Sequence, residues 1–542
     1  MTKLFRLFLS QENFCVGDIR GNTDLILSKI AAAKNQSADL VAFPELAVTG
    51  YPPEDLLFRP GLHDKVTHAM TEIAAASENI YAVVGYPEQT NDGMFNSVAC
   101  YHNGALVANY RKQQLPNYAV FDEKRYFTAG NVPTTLDVNG IRISLSICED
   151  IWVKETADNA RAANADIILN VNASPFRMDK RMARINALHD ATTRSGLPIA
   201  YVNMVGGQDE LVFDGGSLIM DAGGAVVANS PEFETSDLVT DITLDNDGIG
   251  FSNTSCAELP DELEKIYRAL VLGVQDYMVK NNFKGVVLGL SGGIDSALTL
   301  AIAADAIGEE NVHAISMPSR YTADMSIDDA LEQCKTLGCR CDVVPIEEPF
   351  TAFNTVLEPL FTGYQPDVTE ENIQARCRGL ILMAVSNKTG KIVLATGNKS
   401  EMAVGYATLY GDMCGGFAPI KDVPKTLVYE LSKWRNTQGS AIPERVITRE
   451  PSAELRDDQK DSDSLPEYDI LDPILEKYIE RDMTPSSIAA EGFDIDTVRR
   501  VTRMVDRNEY KRRQAAPGVR ITERAFGRDR RYPITSRYGE QN

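Results

Sequence analysis

Positive charge is scarce in this 542-residue chain: 54 lysines and arginines stand against 77 aspartates and glutamates, which gives a net charge of −23. This balance argues against a general nucleic-acid-binding protein and against a protein that binds an anionic membrane surface. Any site for an anionic ligand would therefore need basic residues that are concentrated locally.

Histidine is rare, with five residues, and the nine cysteines are scattered along the chain. An odd number of dispersed cysteines in a chain of this length does not indicate a disulfide framework. The closest group, Cys334, Cys339 and Cys341, lacks the paired CxxC spacing of a zinc site. We therefore expect reduced thiols there and no metal.

Long apolar runs are also absent, because no uninterrupted stretch approaches the ~20 residues that a transmembrane helix requires. The opening sequence MTKLFRLFLSQENF has a brief apolar run without the cleavage site of a signal peptide. We expect no membrane segment and no membrane partner, and we predict a cytoplasmic protein.

The chain does contain two regions with different patterns, which we place at residues 1–255 and 256–542. The first has short β-type runs, from LFRLFLS to GSLIMDAGG, with helical patterns at 22–35 and 179–194. Hairpin-like and helix-crossed strands together predict an α/β/β/α sandwich. In the second region, KGVVLGL, VHAISMP, CDVVPI and KIVLATG alternate with helices, which predicts a doubly wound parallel sheet.

A glycine-containing loop follows the first strand of the second region. In such a strand–turn–helix segment, backbone N–H groups and the helix N-terminus form a cradle for an anion. The Walker A lysine is missing, so the usual phosphate loop is excluded. Asp295 would repel a phosphate unless it holds Mg²⁺. We predict that the loop cradles a phosphate group through Gly289, Leu290, Ser291, Gly292, Gly293, Ile294, Asp295 and Ser296, and the resemblance described next implies that this phosphate belongs to ATP.

The SGGIDS motif in this loop resembles the SGGxDS fingerprint of the ATP pyrophosphatases. The segments at 371–387, 394–431 and 508–518 are similar to those of the NAD synthetase family. The resemblance covers most of residues 260–520 and implies an adenine nucleotide α-hydrolase-like fold. It also implies that ATP and Mg²⁺ adenylate deamido-NAD (nicotinic acid adenine dinucleotide), after which ammonia displaces AMP.

The same resemblance implies roles for individual residues. Besides the loop, these are Thr396 for ATP, Asp295 and Glu401 for Mg²⁺, and Asn372, Glu401 and Lys511 for deamido-NAD.

Several further assignments stay open at this point. Lys425 and Ser452 are weaker candidates for ATP contacts, and Arg376 and Arg378 are either phosphate contacts or surface charges. The acidic segment 449–469 is predicted to be a mobile loop that closes over ATP. The arginine-rich segment 499–537 is either solvated or partly a dinucleotide-facing surface.

Cys148, in SLSICEDIW, taken alone is either a buried core thiol or a nucleophile. Glu45, Lys112 and Cys148, in that order and in their local contexts, resemble the nitrilase superfamily over about residues 3–250. The thiolate is the reactive form of cysteine, so a carboxylate base at Glu45 suits amide hydrolysis. Lys112 and the backbone N–H after Cys148 would stabilise the oxyanion.

The nitrilase resemblance also implies four glutamine-binding positions: Tyr118, Glu123, Ser174 and Lys180. The two halves together imply that glutamine supplies ammonia for NAD⁺ synthesis in a homo-oligomeric enzyme without a nucleic-acid partner. Another ATP-pyrophosphatase amidotransferase would need a Cys-His-Glu glutaminase, and no His-x-Glu pair occurs. A non-catalytic nucleotide- or nucleic-acid-binding protein is disfavoured by Glu45, Lys112, Cys148 and Asp295.

Overall fold

A computed structural model describes residues 3–246, 248–456 and 459–536. The chain divides into two compact units, which we call unit N (up to Asp261) and unit C (from Glu262). Within the described ranges, no helix combines the length and the hydropathy that are required to cross a membrane.

Unit N contains two large sheets with helices outside them. Its helices are α1 (Ile19–Asn35), α2 (Pro60–Ala76), α3 (Lys154–Ala162) and α4 (Lys180–Ser195). Its strands are β1 (Lys3–Gln11), β2 (Leu40–Ala42), β3 (Tyr81–Thr90), β4 (Gly93–His102), β5 (Ala105–Arg111), β6 (Thr135–Val138), β7 (Ile141–Ile147), β8 (Ile167–Asn172), β9 (Ile199–Asn203), β10 (Val205–Gln208), β11 (Leu211–Asp214), β12 (Leu218–Met220), β13 (Val226–Asn229), β14 (Ser236–Asp245) and β15 (Gly248–Ser252).

The two sheets pack face to face. One has seven strands in the order β15-β14-β1-β2-β3-β4-β5, and the other has six in the order β13-β12-β9-β8-β7-β6. Successive side chains of a strand face opposite sides. In β1, Phe5, Leu7 and Leu9 therefore join the core between the sheets, whereas Phe8 joins the core under α1 and α2. A third core lies under α3 and α4, so the predicted α/β/β/α sandwich is confirmed.

Two of the four helices in unit N are absent from the sequence prediction. Helix α3 buries only Ala157 and Ala160, so its apolar signal is weak. Helix α2 buries Leu62, Val66 and Ile73 at helical spacing, but it follows directly after a proline-rich segment that is typical of a loop. The predicted helices at 22–35 and 179–194 correspond to α1 and α4.

Unit C is built on a four-stranded parallel sheet in the order β18-β17-β16-β19. The strands are β16 (Val286–Gly289), β17 (Val312–Ser316), β18 (Arg340–Val343) and β19 (Ile392–Leu394). The helices are α5 (Glu262–Lys280), α6 (Ile294–Ile307), α7 (Asp324–Leu337), α8 (Glu347–Leu357), α9 (Val368–Thr389), α10 (Lys399–Val404), α11 (Lys425–Thr437), α12 (Glu444–Thr448), α13 (Tyr468–Leu475), α14 (Pro485–Ala489), α15 (Ile495–Arg507) and α16 (Glu509–Arg512).

Helices cover both faces of this sheet, as a buried parallel sheet requires. Val287, Ile315 and Val393 pack against α8 and α9, and α6 packs on β16 and β17 together with α5 and α11. A separate apolar cluster joins α10, α13 and α15 near the end of the chain.

Three arginines of the C-terminal segment are buried. The sequence predicts either solvated arginines or a dinucleotide-facing surface, and these three residues fit neither alternative. Arg512 and Arg530 pair with the Glu509 carboxylate at 3.0 and 2.7 Å, and Arg520 pairs with Asp529 at 2.5 Å. These arginines therefore contribute internal ion pairs within unit C, and their charges are compensated by carboxylates. Position 537, the end of the predicted segment, lies outside the described residues.

Candidate active sites

Cys148 begins a short 3-10 helix, Cys148–Trp152, directly after β7. Its φ angle is +44°, a conformation that residues with a side chain rarely adopt. The thiol is buried, with 5% of the residue exposed. A strained turn at the end of a strand is an arrangement in which a reactive side chain is held apart from the regular sheet.

The Lys112 ammonium joins two buried carboxylates near this thiol. Its Nζ donates to Glu45 Oε1 at 2.7 Å and to Glu123 Oε1 at 2.8 Å. Glu45 and Lys112 are fully buried. The charges of Glu45 and Lys112 both affect the pKa of Cys148, so the three predicted catalytic residues lie within electrostatic reach of each other.

Close backbone packing holds Glu45 in place. A Cβ atom on Gly85 of β3 would lie 2.4 Å from the backbone nitrogen of Leu46, so only glycine permits this approach. The Asn96 side-chain amide donates to Glu45 Oε1 at 2.7 Å, and the Ala173 N–H donates to Glu45 Oε2 at 3.0 Å. Both carboxylate oxygens therefore have fixed partners.

Asp150 connects the Cys148 turn to the segment after Lys112. One carboxylate oxygen accepts the N–H groups of Gln113 and Gln114, at 3.0 and 2.7 Å. The other accepts the N–H of Ile147 and the hydroxyl of Tyr110, at 3.0 and 2.7 Å. Asp150 is absent from the sequence prediction because nothing in a one-dimensional pattern shows that these two turns are neighbours.

Burial dominates the titration of the groups around Cys148. It raises the pKa of the thiol well above its ordinary value, and Glu45 adds to this effect while Lys112 opposes it. Burial also raises the pKa of Glu123 to about 7 against the opposing effect of Lys112. For Lys112, burial lowers the pKa, but Glu123 and Glu45 outweigh it and leave the pKa raised. The ammonium therefore stays charged.

The four predicted glutamine-binding residues surround the same region. The Tyr118 hydroxyl donates to Glu149 Oε1 at 2.8 Å. Ser174 is buried, and its hydroxyl accepts from Arg184 Nε at 3.1 Å. Lys180 Nζ lies 4.3 Å from the centre of the Trp152 ring.

Lys180 differs from an ordinary lysine in its titration. Burial and the nearby Arg184 lower the pKa of Lys180 to about 8, although Cys148 acts in the opposite direction. Trp152 and Arg184 are further residues that the sequence prediction does not contain. Only the folded structure identifies these two residues as neighbours of Lys180.

The SGGIDS loop of unit C connects β16 to α6. Gly292 has a φ of +79°, and a Cβ atom there would lie 2.3 Å from the carbonyl oxygen of Ser326. The Ser296 hydroxyl donates to the carbonyl of Gly293 at 2.9 Å, and the Ser291 hydroxyl accepts the N–H of Gly293 at 3.1 Å. These contacts stabilise a tight loop at the start of the helix.

The loop lines a cavity of about 270 Å³. All eight predicted loop residues from 289 to 296 contribute to its wall, together with Thr396, Glu401 and Lys425. Part of the acidic segment 449–469 also lines it, including Ser452 and Asp461. Residues 457 and 458 of that segment lie outside the described residues.

Lys425 joins the two predicted magnesium ligands. Its Nζ donates to Asp295 Oδ2 at 2.5 Å and to Glu401 Oε1 at 3.3 Å. Asn398 donates its side-chain amide to Asp295 Oδ1 at 2.8 Å and accepts the Glu401 N–H at 3.0 Å. Burial and Asp295 raise the pKa of Glu401 to about 8, against the effect of Lys425.

This set of groups fits a divalent cation. One ammonium group does not compensate two half-buried carboxylates, and Mg²⁺ is commonly bound by one or two carboxylates together with phosphate oxygens. Asp295 and Glu401 are the side chains that could hold it. In the described part of the chain, this site included, no three histidine, cysteine, aspartate or glutamate side chains form a complete metal site.

Two of the remaining predicted positions of unit C are Asn372 and Lys511, which the sequence predicts as deamido-NAD contacts. Among the side chains described, those of Asn372 and Lys511 lie outside the cavity lining. Asn372 Oδ1 accepts from the Thr408 hydroxyl at 2.8 Å, and Lys511 donates to the carbonyls of Gly405 and Ala407. Both therefore bind the segment 405–408, which reaches the cavity at Thr408.

The two arginines of α9 also differ from each other. Arg378 lines the cavity and donates to the carbonyl of Met317 at 3.0 Å, and burial lowers its pKa to about 10. Arg376 is exposed and donates to the carbonyl of Leu409 at 3.2 Å. Of the two, Arg378 is the one positioned to contact a ligand in the cavity.

The two units match two different protein families. Residues 9–247 match the carbon–nitrogen hydrolase family, and residues 266–515 match the NAD synthase family.

Curated relatives match over the whole chain. A glutamine-dependent NAD(+) synthetase of Xanthomonas campestris is 50% identical, with 99% of this chain and 98% of the relative covered. The Acinetobacter baylyi relative of the same description is 47% identical, with 98% and 99% covered.

Solved structures of similar length share the fold. The glutamine-dependent NAD⁺ synthetase of Acinetobacter baumannii, in complex with ADP, is 45% identical, covers 98% of each chain and has a TM-score of 0.80. The enzyme of Cytophaga hutchinsonii is 24% identical with a TM-score of 0.84, covers 99% and 98%, and supports the fold alone.

Proposed function

Because the chain belongs to the family of glutamine-dependent NAD(+) synthetases, we propose that Cys148 releases ammonia from glutamine and that the SGGIDS loop binds the ATP which activates deamido-NAD. The overall reaction is NAD⁺ synthesis from deamido-NAD with glutamine as the nitrogen source. We propose which residues release ammonia from glutamine and which residues activate deamido-NAD.

In the first half-reaction, Cys148 attacks the side-chain amide carbon of glutamine. Glu45 accepts the thiol proton and passes it to the leaving ammonia, and it then activates the water that hydrolyses the thioester. Lys112 and the N–H of Glu149 stabilise the tetrahedral oxyanion. The burial that raises the pKa of Cys148 supports a role for Glu45, because a free thiolate would otherwise be scarce.

Glutamine is held by groups around the same thiol. Tyr118, Glu123, Ser174 and Lys180 are the proposed contacts, and the charge of Lys180 suits a carboxylate of the substrate. Support comes from the electrostatic coupling of Lys180 and Tyr118 to Cys148.

In the second half-reaction, the backbone N–H groups of the loop and the N-terminus of α6 bind ATP phosphates. The nicotinate carboxylate of deamido-NAD attacks the α-phosphate, pyrophosphate leaves, and ammonia then displaces AMP. We propose that the cationic side chains of Lys425 and Arg378 stabilise the charge on the phosphates. The ADP complex of the Acinetobacter baumannii relative supports an adenine nucleotide site in this chain.

We propose that a magnesium ion binds in unit C, with Asp295 and Glu401 as its protein ligands. When bound, it would neutralise charge on the phosphates during pyrophosphate release. The uncompensated charge of the two carboxylates beside Lys425 supports this. Asn372 and Lys511 are proposed to hold deamido-NAD through the segment 405–408, and the segment 449–469 is proposed to close over ATP.

The proposal also includes a cytoplasmic location and a homo-oligomeric assembly. The free cysteines are compatible with a reducing compartment.

The observation that carries the proposal is the buried Lys112 that joins Glu45 and Glu123 beside Cys148. We expect Cys148→Ala to lose NAD⁺ synthesis from glutamine, because no thiolate is left, and to keep synthesis from ammonium chloride. Asp295→Ala should lose both, by ~10²-fold or more, because it removes a cation ligand at the reacting phosphates. NAD⁺ formation with each nitrogen source measures these effects.

Cys100→Ala is the matched control, since Cys100 is a buried thiol of unit N in the core between the sheets. It should keep both activities. Normal use of glutamine by Cys148→Ala would contradict the assignment of the nucleophile.

A further inference from the structure

Three cysteines of unit C lie at the end of α7 and the start of β18. Gly338 ends the helix with a φ of +77°, and the N–H groups of Gly338 and Cys339 both donate to the carbonyl of Cys334. A glycine cap in the left-handed conformation with these bonds turns the chain back over the last turn of its helix. Cys341 follows in β18, so the reversal brings it back to Cys334.

The thiols of Cys334 and Cys341 are close enough for each to change the titration of the other. Cys334 lowers the pKa of Cys341, and the N–H of Ser316 acts in the same direction. Cys341 is half-buried and Cys334 is buried. Cys339 has a different environment, because burial and the Glu309 carboxylate raise its pKa to about 11. Cys341 is therefore the accessible thiol with the greater thiolate character, and Cys334 is its neighbour.

The helix that carries Cys334 and the strand that pairs with the one carrying Cys341 both reach the cavity of unit C. Ser316, whose N–H contacts the Cys341 sulfur, ends β17 and lines the cavity. Helix α7 carries Ser326 in its first turn, where the Ser326 carbonyl packs against Gly292 of the SGGIDS loop. The Ser326 hydroxyl donates to Glu454, another lining residue, at 2.7 Å.

We propose that Cys334 and Cys341 form a peroxide-sensitive dithiol pair whose closure to a disulfide weakens ATP binding in the adjoining cavity. Transient disulfides in otherwise reducing compartments are typical of redox-responsive sites. An S–S bond of ~2.0 Å requires the two sulfurs to approach more closely than a hydrogen bond does. The end of α7 must then move relative to β18, and the packed contact between Ser326 and the loop transmits the movement.

The chemistry balances with a peroxide as the oxidant. The Cys341 thiolate attacks one peroxide oxygen, the O–O bond breaks, and a sulfenic acid forms while water leaves after protonation. The Cys334 thiol then loses its proton and attacks the Cys341 sulfur, the S–O bond breaks, and a second water leaves. Two thiols lose two electrons in total, and one peroxide gains them.

The experiment treats the full chain with hydrogen peroxide, blocks the remaining thiols with iodoacetamide and digests it with trypsin without reductant. Cleavage after Lys335 and Arg340 places the three cysteines on separate peptides, 321–335, 336–340 and 341–376. We expect mass spectrometry to find the first and third peptides joined and two hydrogen atoms lighter. Dithiothreitol should restore both free peptides.

The effect on ATP is measured with ammonium chloride as nitrogen source, so that oxidation of Cys148 does not enter. We expect oxidation to raise the KM for ATP by about 5- to 150-fold, the range typical of coupling between distant sites. Reduction should reverse the change. Cys341→Ser should lose both the cross-link and the change in KM, whereas the matched control Cys339→Ser should retain both.

Absence of the joined peptide in the wild-type chain would overturn the proposal whether or not the variants fold. A link between peptides 321–335 and 336–340 would also overturn it, because the wrong cysteine would be the partner. A correct link with an unchanged KM would refute the coupling to ATP. An equal rise of KM in oxidised Cys341→Ser would refute it too, because another thiol would be responsible.

Discussion

Lys112 shares one positive charge between two buried carboxylates, those of Glu45 and Glu123. Because these groups lie in a region of low dielectric, the ionisation of one carboxylate strongly affects the basicity of the other. The pKa of Glu123 is about 7, raised mainly by burial. Glu123 therefore changes its charge near neutral pH, and its ion pair with Lys112 depends on that change.

This coupling predicts how glutamine hydrolysis depends on pH. Below a pH of about 7, Glu123 is protonated, so this proposed glutamine contact loses its negative charge and its ion pair with Lys112. We expect kcat/KM for glutamine to fall as the pH decreases through this value. Tyr51 donates to Glu123 at 2.9 Å and thereby lowers its pKa. Tyr51→Phe should therefore move the acidic limb to higher pH.

The measurement is glutamate release at a series of pH values. Tyr126→Phe is the matched control, since the Tyr126 hydroxyl donates to Asp55 and its loss should leave the limb in place. An identical profile for Tyr51→Phe and the wild-type chain would contradict the role given to Glu123.

At the scale of the elements, unit N positions its reactive groups at places where a strand ends. Glu45 follows β2, Lys112 follows β5 and Cys148 follows β7. The β2 and β7 strands belong to different sheets, so the site is assembled by the packing of the two sheets. Gly85 in β3 makes a close backbone contact with the turn that carries Glu45.

Gly85→Ala tests this contact. The added Cβ would lie 2.4 Å from the Leu46 nitrogen and 2.6 Å from the Pro44 carbonyl oxygen, so the turn must move. A displacement of about 1 Å at a catalytic group costs ~10²-fold in rate. We expect kcat for glutamine hydrolysis to fall by this order, while synthesis from ammonium chloride stays at the wild-type level.

Gly61→Ala provides the control for this substitution. Gly61 lies in α2, and a Cβ there meets no atom within 4 Å apart from its chain neighbours and the backbone of its own helix. Its glutamine hydrolysis should match the wild-type rate. Equal activities of the Gly85→Ala and wild-type chains would show that the turn tolerates the displacement.

At the scale of the whole molecule, buried ion pairs connect distant parts of unit C. Lys399 Nζ lies 2.7 Å from Glu480 and 2.9 Å from Asp422, and it donates to the Thr522 hydroxyl at 2.6 Å. One ammonium group thus joins α10 to three segments far along the chain. Its loss would leave buried carboxylates without a counter-charge.

We expect Lys399→Met to lower the free energy of unfolding of unit C by ~3–5 kcal/mol, because a broken buried ion pair leaves uncompensated charge. The chain has two tryptophans, Trp152 in unit N and Trp434 in unit C. In a Trp152→Phe background, the fluorescence of Trp434 during urea denaturation therefore reports on unit C.

Lys460→Met is the control in the same background, since Lys460 and its partner Glu450 are both exposed. Exposed ion pairs contribute little to stability. A shift of the denaturation midpoint as small for Lys399→Met as for Lys460→Met would contradict the structural role of Lys399.

The fold class and the family could be predicted from the sequence because their signals are local. In unit C, β16 (VVLG) and β19 (IVL) are continuous apolar runs, and the SGGIDS motif lies within seven residues of β16. Glu45, Lys112 and Cys148 are recognisable because each has a distinctive neighbourhood in the chain. The weakly apolar helix α3 had no such signal.

Long-range pairing was decided by the tertiary structure alone. Asp150 is one of two adjacent carboxylates in SLSICEDIW, and only the fold brings it to the backbone after Lys112. Similarly, only the fold distinguishes the buried Arg530 from the exposed Arg376. The sequence determined which residue types were available and which local turns they form. The packing of sheets and helices determined which charges meet, because burial and electrostatic interaction depend on distance in space.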